Sequence, residues 1–360
     1  MKGGVKMGWE YKKKYAKPFL IGLLAMVLVS LTACGTGNTE SGGKGAQGTS
    51  SATPKEKVRV GYLLVMDDAP AILAHEADLY QKHGLDEEMQ LFTSGTDMIK
   101  AIVGGQIDVG VLGFTNALTW LDKGADLKIV GGAQMGYHSL IVRKDSGIKS
   151  VKDLKGRVVA SQQKGSTADI VWNGVVLKEA GLAPEDVPMQ YVSPSVAVQS
   201  LTAGRVDAAF VFEPYDHLAR ATAGAESIYE VGKSWPFPCM VVIASGETLK
   251  KNRELVNRTL DAQKEAIEML ENSPEEAAKY LTPAFMKEEK LQTVEGGSVP
   301  AVQVIREAIE AQDFNWDITE DQIKKMQEIV GMMVEQGILK KEIDVRNALD
   351  LSWQTKASSK

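Results

Sequence analysis

The stretch LTAGRVDAAFVFEPYDHLARATAG, residues 201–224, holds the pattern on which the fold turns. Val206 to Phe212 is an apolar run of buried-strand length. It stops at Glu213-Pro214-Tyr215-Asp216, where a charge, a ring and an aromatic hydroxyl arrive together. The same order of features stands 99 residues earlier. Ser94 matches Ser193, Gly105 matches Gly204, Asp108 matches Asp207, and Asn116 matches Tyr215. Each copy reads as a serine, a helix, a glycine stop, a strand, a polar turn and a second helix. Units so far apart predict two similar lobes. A solenoid would repeat every 20–50 residues or so.

Outward from these copies, strand and helix patterns alternate. Val58–Leu63 reads as a strand and Ala69–Lys82 as a helix, with Pro70 in its first turn and Gly84 beyond its end. A short strand near Met89–Phe92, a helix over Thr96–Val103 and a strand over Asp108–Leu112 follow. This is α/β order, with helices packed on a mostly parallel sheet. Four later helices are expected near 247–271, 274–281, 300–311 and 319–336, as packing elements.

Composition narrows the function. The 360 residues are 44% hydrophobic, 24% charged and 6% aromatic, enough for two cores. The net charge is −6. Without residues 1–33 it falls to −11, from 35 basic and 46 acidic residues, which argues against a nucleic-acid partner. Lys12, Lys13, Lys14 and Lys17 precede Phe19–Ala33, an uncharged run of 15 residues. A membrane span needs about 20, so 1–33 reads as a secretory signal. Leu31-Thr32-Ala33-Cys34 resembles a bacterial lipobox, which implies lipidation at Cys34 and anchoring at the outer face of the cytoplasmic membrane. Residues 35–56, rich in Gly, Ser and Thr, read as a flexible tether. Cys239 is then the only other thiol, expected to be a small buried apolar residue.

In open α/β sheets, ligands bind beyond the carboxyl ends of strands, where helix N-termini present free N–H groups. Six polar turns of this chain fall at such places. They are Asp67–Pro70, Ser94–Thr96, Gly113–Asn116, Lys164–Thr167, Ser193–Ser195 and Glu213–Tyr215. Each could simply cap its own helix. If two lobes face each other, the six converge on one cleft.

The chain resembles the lipid-anchored substrate-binding proteins of ABC importers for nitrate, sulfonate, taurine or bicarbonate, a superfamily that includes binders of thiamine pyrimidine precursors. The resemblance rests on the order of VGYLL (60–64), DDAPAILAHEADLYQKHGL (67–85), AIVGGQIDVGVLGFTNAL (101–118), GIKSVKDLKGRVVASQQKGST (147–167), LTAGRVDAAFVFEPY (201–215) and NSPEEAAKYL (272–281). Such families usually have glycine just before the position of Leu79; here Ala77-Asp78 stand nearby, so that turn is expected to differ.

The resemblance implies a type II periplasmic-binding protein, two α/β lobes with a ligand cleft and a two-segment hinge. Lobe one would span 57–136 and 240–350, and lobe two 137–239, leaving 351–360 as a tail. The crossings would lie near Gly136-Tyr137-His138 and Trp235-Pro236-Phe237-Pro238. It also implies capture of a small polar solute for a permease and its ATPase, by a monomer. A binder of a pyrimidine precursor or other heterocycle is the alternative, and a ligand-presenting module for a sensor the next.

Signatures of catalysis are missing. There is no G-x-S-x-G elbow and no complete phosphate loop, since Ser227 stands where that of Val231–Ser234 needs glycine. His75-Glu76 opens like a zinc-protease motif, but Leu79 stands where the second histidine belongs. His75, His83, His138 and His217 lack ligand spacing, so neither metal nor cofactor is expected. A pyrimidine-forming enzyme shares the implied fold, so fold alone does not exclude chemistry.

The candidate cleft residues are Thr115, Asn116, Ser166, Thr167, Glu213 and Tyr215, followed by Ser94, Thr96, Asp68 and Tyr62. Among these turns only Lys164 is cationic, against Asp67, Asp68 and Glu213. If Glu213 lines the cleft, it would favour a ligand carrying an ammonium or amidine, such as an aminosulfonate or an aminopyrimidine.

Overall fold

The structure is a computed structural model that describes residues 55–358. The expected signal sequence, the lipidation at Cys34 and nearly all of the tether lie outside the described residues. So do the last two residues of the tail.

Two five-stranded sheets form the frame. The first contains β1 (Glu56–Leu63), β2 (Leu85–Phe92), β3 (Val109–Gly113), β4 (Leu127–Met135) and β10 (Pro238–Ser245), in the order β2-β1-β3-β10-β4. The second contains β5 (Ser139–Arg143), β6 (Val159–Ser161), β7 (Met189–Tyr191), β8 (Ala208–Val211) and β9 (Ala225–Glu230), in the order β7-β6-β8-β5-β9. This is the two-lobed α/β architecture expected from the sequence.

The two sheets have the same plan. In each, three strands pair in parallel and the fourth runs antiparallel to both neighbours. That fourth strand is β10 in one sheet and β5 in the other. β10 is buried throughout, as a strand flanked on both sides and covered on both faces must be. The internal match is therefore structural. Val60 pairs with Val109, and Val159 with Ala208, the same register shifted by 99 at every position.

The matched residues do the same work in both lobes. Asp108 donates its backbone N–H to the Arg59 carbonyl at 2.9 Å and accepts the Arg59 N–H at 2.9 Å. Asp207 repeats both bonds with Val158, each at 2.9 Å. Gly105 and Gly204 both sit at φ near +68° and +66°, which glycine adopts without a Cβ penalty.

The helices differ from expectation in detail. The helix expected over Ala69–Lys82 is broken into Ala69–Glu76 and Leu79–Lys82. Asp78 makes the break with φ 56°, the conformation usually left to glycine. β2 begins at Leu85, four residues earlier than the apolar pattern suggests, because its first half is mostly polar and partly exposed. The helix expected over 247–271 is two, Gly246–Lys251 and Arg253–Asn272; Asn252 interrupts it and accepts the Leu255 N–H. The tail is not loose. Trp353 is buried and donates from Nε1 to Asp261 at 2.9 Å. Among the described residues, no helix is long and apolar enough to cross a membrane.

Candidate ligand-binding site

Strands β1, β2, β3, β6 and β8 end toward a common space, and antiparallel β10 begins there. Their loops enclose a cavity of about 80 Å³. The first sheet contributes Leu63, Val65 and Asp67 after β1, Thr93, Ser94 and Gly95 after β2, Gly113 and Asn116 after β3, and Cys239 and Met240 in β10. The second contributes Gln162, Gln163, Ser166 and Thr167 after β6, and Phe212 after β8. His138 comes from the segment linking β4 to β5.

Four of the sequence candidates therefore line this cavity: Ser94, Asn116, Ser166 and Thr167. Two of them also cap helices. Ser94 Oγ accepts the Asp97 N–H at 3.2 Å, and Ser166 Oγ accepts the Asp169 N–H at 3.3 Å. The helices they open, Gly95–Val103 and the one from Thr167, point their N-termini at the cavity, as does Phe114–Asp122. Each N-terminus carries a partial positive charge.

The lobes touch around this space. Thr115 Oγ1 and Thr167 Oγ1 lie 2.8 Å apart, and the Met66 N–H donates to the Glu213 carbonyl at 3.1 Å. Gly113 permits the first contact, since a Cβ there would fall 2.8 Å from Thr167 Oγ1.

The remaining candidates sit elsewhere. Thr115 is fully buried behind the cavity wall. Glu213 does not face the cavity: it is fully buried and pairs with His217, whose backbone N–H it also accepts at 3.3 Å. Glu213 stands just before the helix Tyr215–Ala223, and its carboxylate turns onto the first turn of that helix to meet His217, four residues on. Tyr215 lines a separate groove with Val198, Thr202 and Leu218. Asp68 is buried, and its Oδ2 accepts the Leu63 N–H at 2.7 Å, holding the turn after β1. Thr96 and Tyr62 are half-buried and do not line the cavity. Lys164 lies in an adjoining groove with Tyr191 and Ser193.

The acid that lines the cavity is Asp67. It is 4% exposed, and its Oδ1 has no partner. Burial, aided by the nearby Glu213 charge, pushes its carboxyl well above the usual range. His138 packs between Phe210 and Phe237, at ring distances of 5.6 and 6.1 Å, and its Nδ1 is also unpartnered. Burial lowers its pKa to about 3, so the imidazole is neutral. Burial likewise raises the Cys239 thiol. Among the described residues, no lysine or arginine lines the cavity.

The sequence profile of the NMT1-like family matches residues 51–282. The chain belongs to this family. A binding protein of Brucella abortus is 29% identical over 240 residues, covering 65% of this chain and 72% of its own length. A protein of Bacillus subtilis named as an aliphatic sulfonates-binding protein is 23% identical over 344 residues, covering 93% of this chain and 96% of its own. The alkanesulfonate-binding protein SsuA from Xanthomonas axonopodis pv. citri, solved with MOPS, superposes with a TM-score of 0.70 at 22% identity, covering 83% of this chain and all of that one. The NMT1-like chain thus has the periplasmic-binding fold, shared more distantly by the desulfurization enzyme DSZB at a TM-score of 0.62 and 14% identity over 85% of this chain and 99% of that one.

Sequence reasoning missed Gln162, Gln163, His138, Phe212 and Cys239, and chose Asp68 over its neighbour Asp67. The glutamines directly precede the Lys164–Thr167 turn and were within reach of the same strand-end argument. His138 and Cys239 carry no local signal, because the link between β4 and β5 and the start of β10 come together only in the folded chain.

Proposed function

We propose that this NMT1-like protein is the extracytoplasmic solute-binding component of an ABC importer, capturing a small polar solute and handing it to a permease. It would be lipid-anchored through Cys34, act as a monomer and catalyse nothing itself. The observation that carries this reading is the cavity between the sheets, lined from both lobes by short polar side chains and three helix starts. Such a lining suits an oxygen-rich head group of the sulfonate, taurine or nitrate kind, and the sulfonate-binding relatives agree with it. Ser94, Asn116, Ser166 and Thr167 are the proposed contacts, with Asp67 as the charge that the bound state must neutralise. Closure follows from contact with both lobes, since a solute that touches both favours the shut arrangement.

A heterocycle such as a pyrimidine precursor has one feature in its favour: Phe212 and His138 offer flat faces beside the Asp67 carboxylate. The test is transport. The chain is added to proteoliposomes holding its cognate permease and ATPase, and ATP-dependent solute uptake is followed. Uptake that depends on the chain supports import. Solute binding with no contribution to uptake would favour presentation to a sensor.

A further inference from the structure

Asp67, His138 and Cys239 meet at the inner wall of the cavity. A carboxylate oxygen, a ring nitrogen and the thiol sulfur all lie within 4.8 Å of one another, and all three residues are buried. Asp67 Oδ1 and His138 Nδ1 have no hydrogen-bond partner, and a buried polar atom without a partner calls for an explanation. The set is mixed: hard oxygen, borderline nitrogen and soft sulfur, a combination that suits zinc-type ions better than calcium or magnesium. Tetrahedral bonds of about 2.0–2.3 Å would place such donors roughly 3.3–3.7 Å apart, a small rotamer adjustment from their present spacing.

We propose that these three side chains form a binding site for a divalent transition-metal ion of the Zn²⁺ type, with the fourth position open to the cavity. The inference rests on reading this cavity as the ligand cleft, but not on which solute fills it. Charge favours it: a dication with one carboxylate, one thiolate and a neutral imidazole is balanced, which matters in a site with so little water contact. On binding, the Cys239 S–H bond breaks, sulfur keeps the electron pair to ligate the metal, and the proton leaves to solvent; no oxidant or reductant takes part. With Asp67 neutralised, the three helix starts act unopposed on a solute anion. That explains how a cavity without arginine or lysine could hold one.

The test uses the full chain in detergent, carrying Cys34→Ala so that Cys239 is the sole thiol. After chelation it is titrated with Co²⁺ alone, in the absence of any solute. The expected result is a thiolate-to-cobalt charge-transfer band that saturates at one equivalent and is displaced by Zn²⁺. Cys239→Ser should abolish the band, and His138→Ala should weaken binding by tenfold or more. Absence of the band in the otherwise native chain overturns the proposal, as does a band of unchanged affinity in His138→Ala and Asp67→Ala. The native spectrum decides even if a variant fails to fold. Solute binding measured separately in chelator keeps failure of the metal site distinct from failure of the transport reading.

Discussion

Asp67 is the residue whose chemistry most constrains the bound state. Its folded pKa is raised by burial, so it stabilises the fold fully below the unfolded value near 3.9 and loses that contribution as pH rises through the folded value. Asp67→Asn should therefore melt higher than the native chain at neutral pH, by about 1–3 kcal/mol, with the difference vanishing below about pH 4. The same variant should bind the proposed divalent metal ion more weakly, because a neutral amide is a poorer ligand for a cation than a carboxylate. Thermal melts across pH, paired with calorimetric titration, check both. Asn116→Ala should weaken solute binding and leave unliganded melting nearly unchanged. Glu213→Ala should do the reverse: breaking the buried pair with His217 should lower stability by about 1–3 kcal/mol and spare affinity.

At the scale of elements, the duplicated aspartates give a paired prediction. Asp108→Ala and Asp207→Ala remove equivalent side-chain bonds in equivalent lobes, so each should destabilise by about 1–3 kcal/mol. Urea melts of both would show it, and a large effect in one lobe alone would count against equivalence. The internal match was legible because glycine and aspartate mark backbone geometry that side-chain packing cannot replace. The break at Asp78 was half legible: the absent glycine was visible, the left-handed aspartate was not. Glu213 was misplaced because a polar residue at a strand end looks the same whether it faces a cleft or its own helix. Only the i,i+4 partner His217 distinguished the two. His138 and Cys239 could not be found by spacing, since they stand 101 positions apart in the chain.

For the whole molecule, the cavity takes its lining from both sheets, so under the proposed function a solute that touches both lobes would favour the shut arrangement. A Cβ at Gly113 would fall 2.8 Å from Thr167 Oγ1, so Gly113→Ala should wedge the lobes apart there. Solute affinity should fall while each lobe stays folded. The central claim is that a small polar solute binds in the cavity between the lobes, and ligand-dependent melting tests it most directly. The native chain and Asn116→Ala would be melted with taurine, alkanesulfonates, nitrate, bicarbonate and aminopyrimidines. A ligand at 100 times its dissociation constant stabilises by about 2.7 kcal/mol. The account predicts that at least one of these solutes raises the melting temperature of the native chain, and that the shift shrinks or disappears in Asn116→Ala. A shift of equal size in both proteins, or none with any solute, would contradict it.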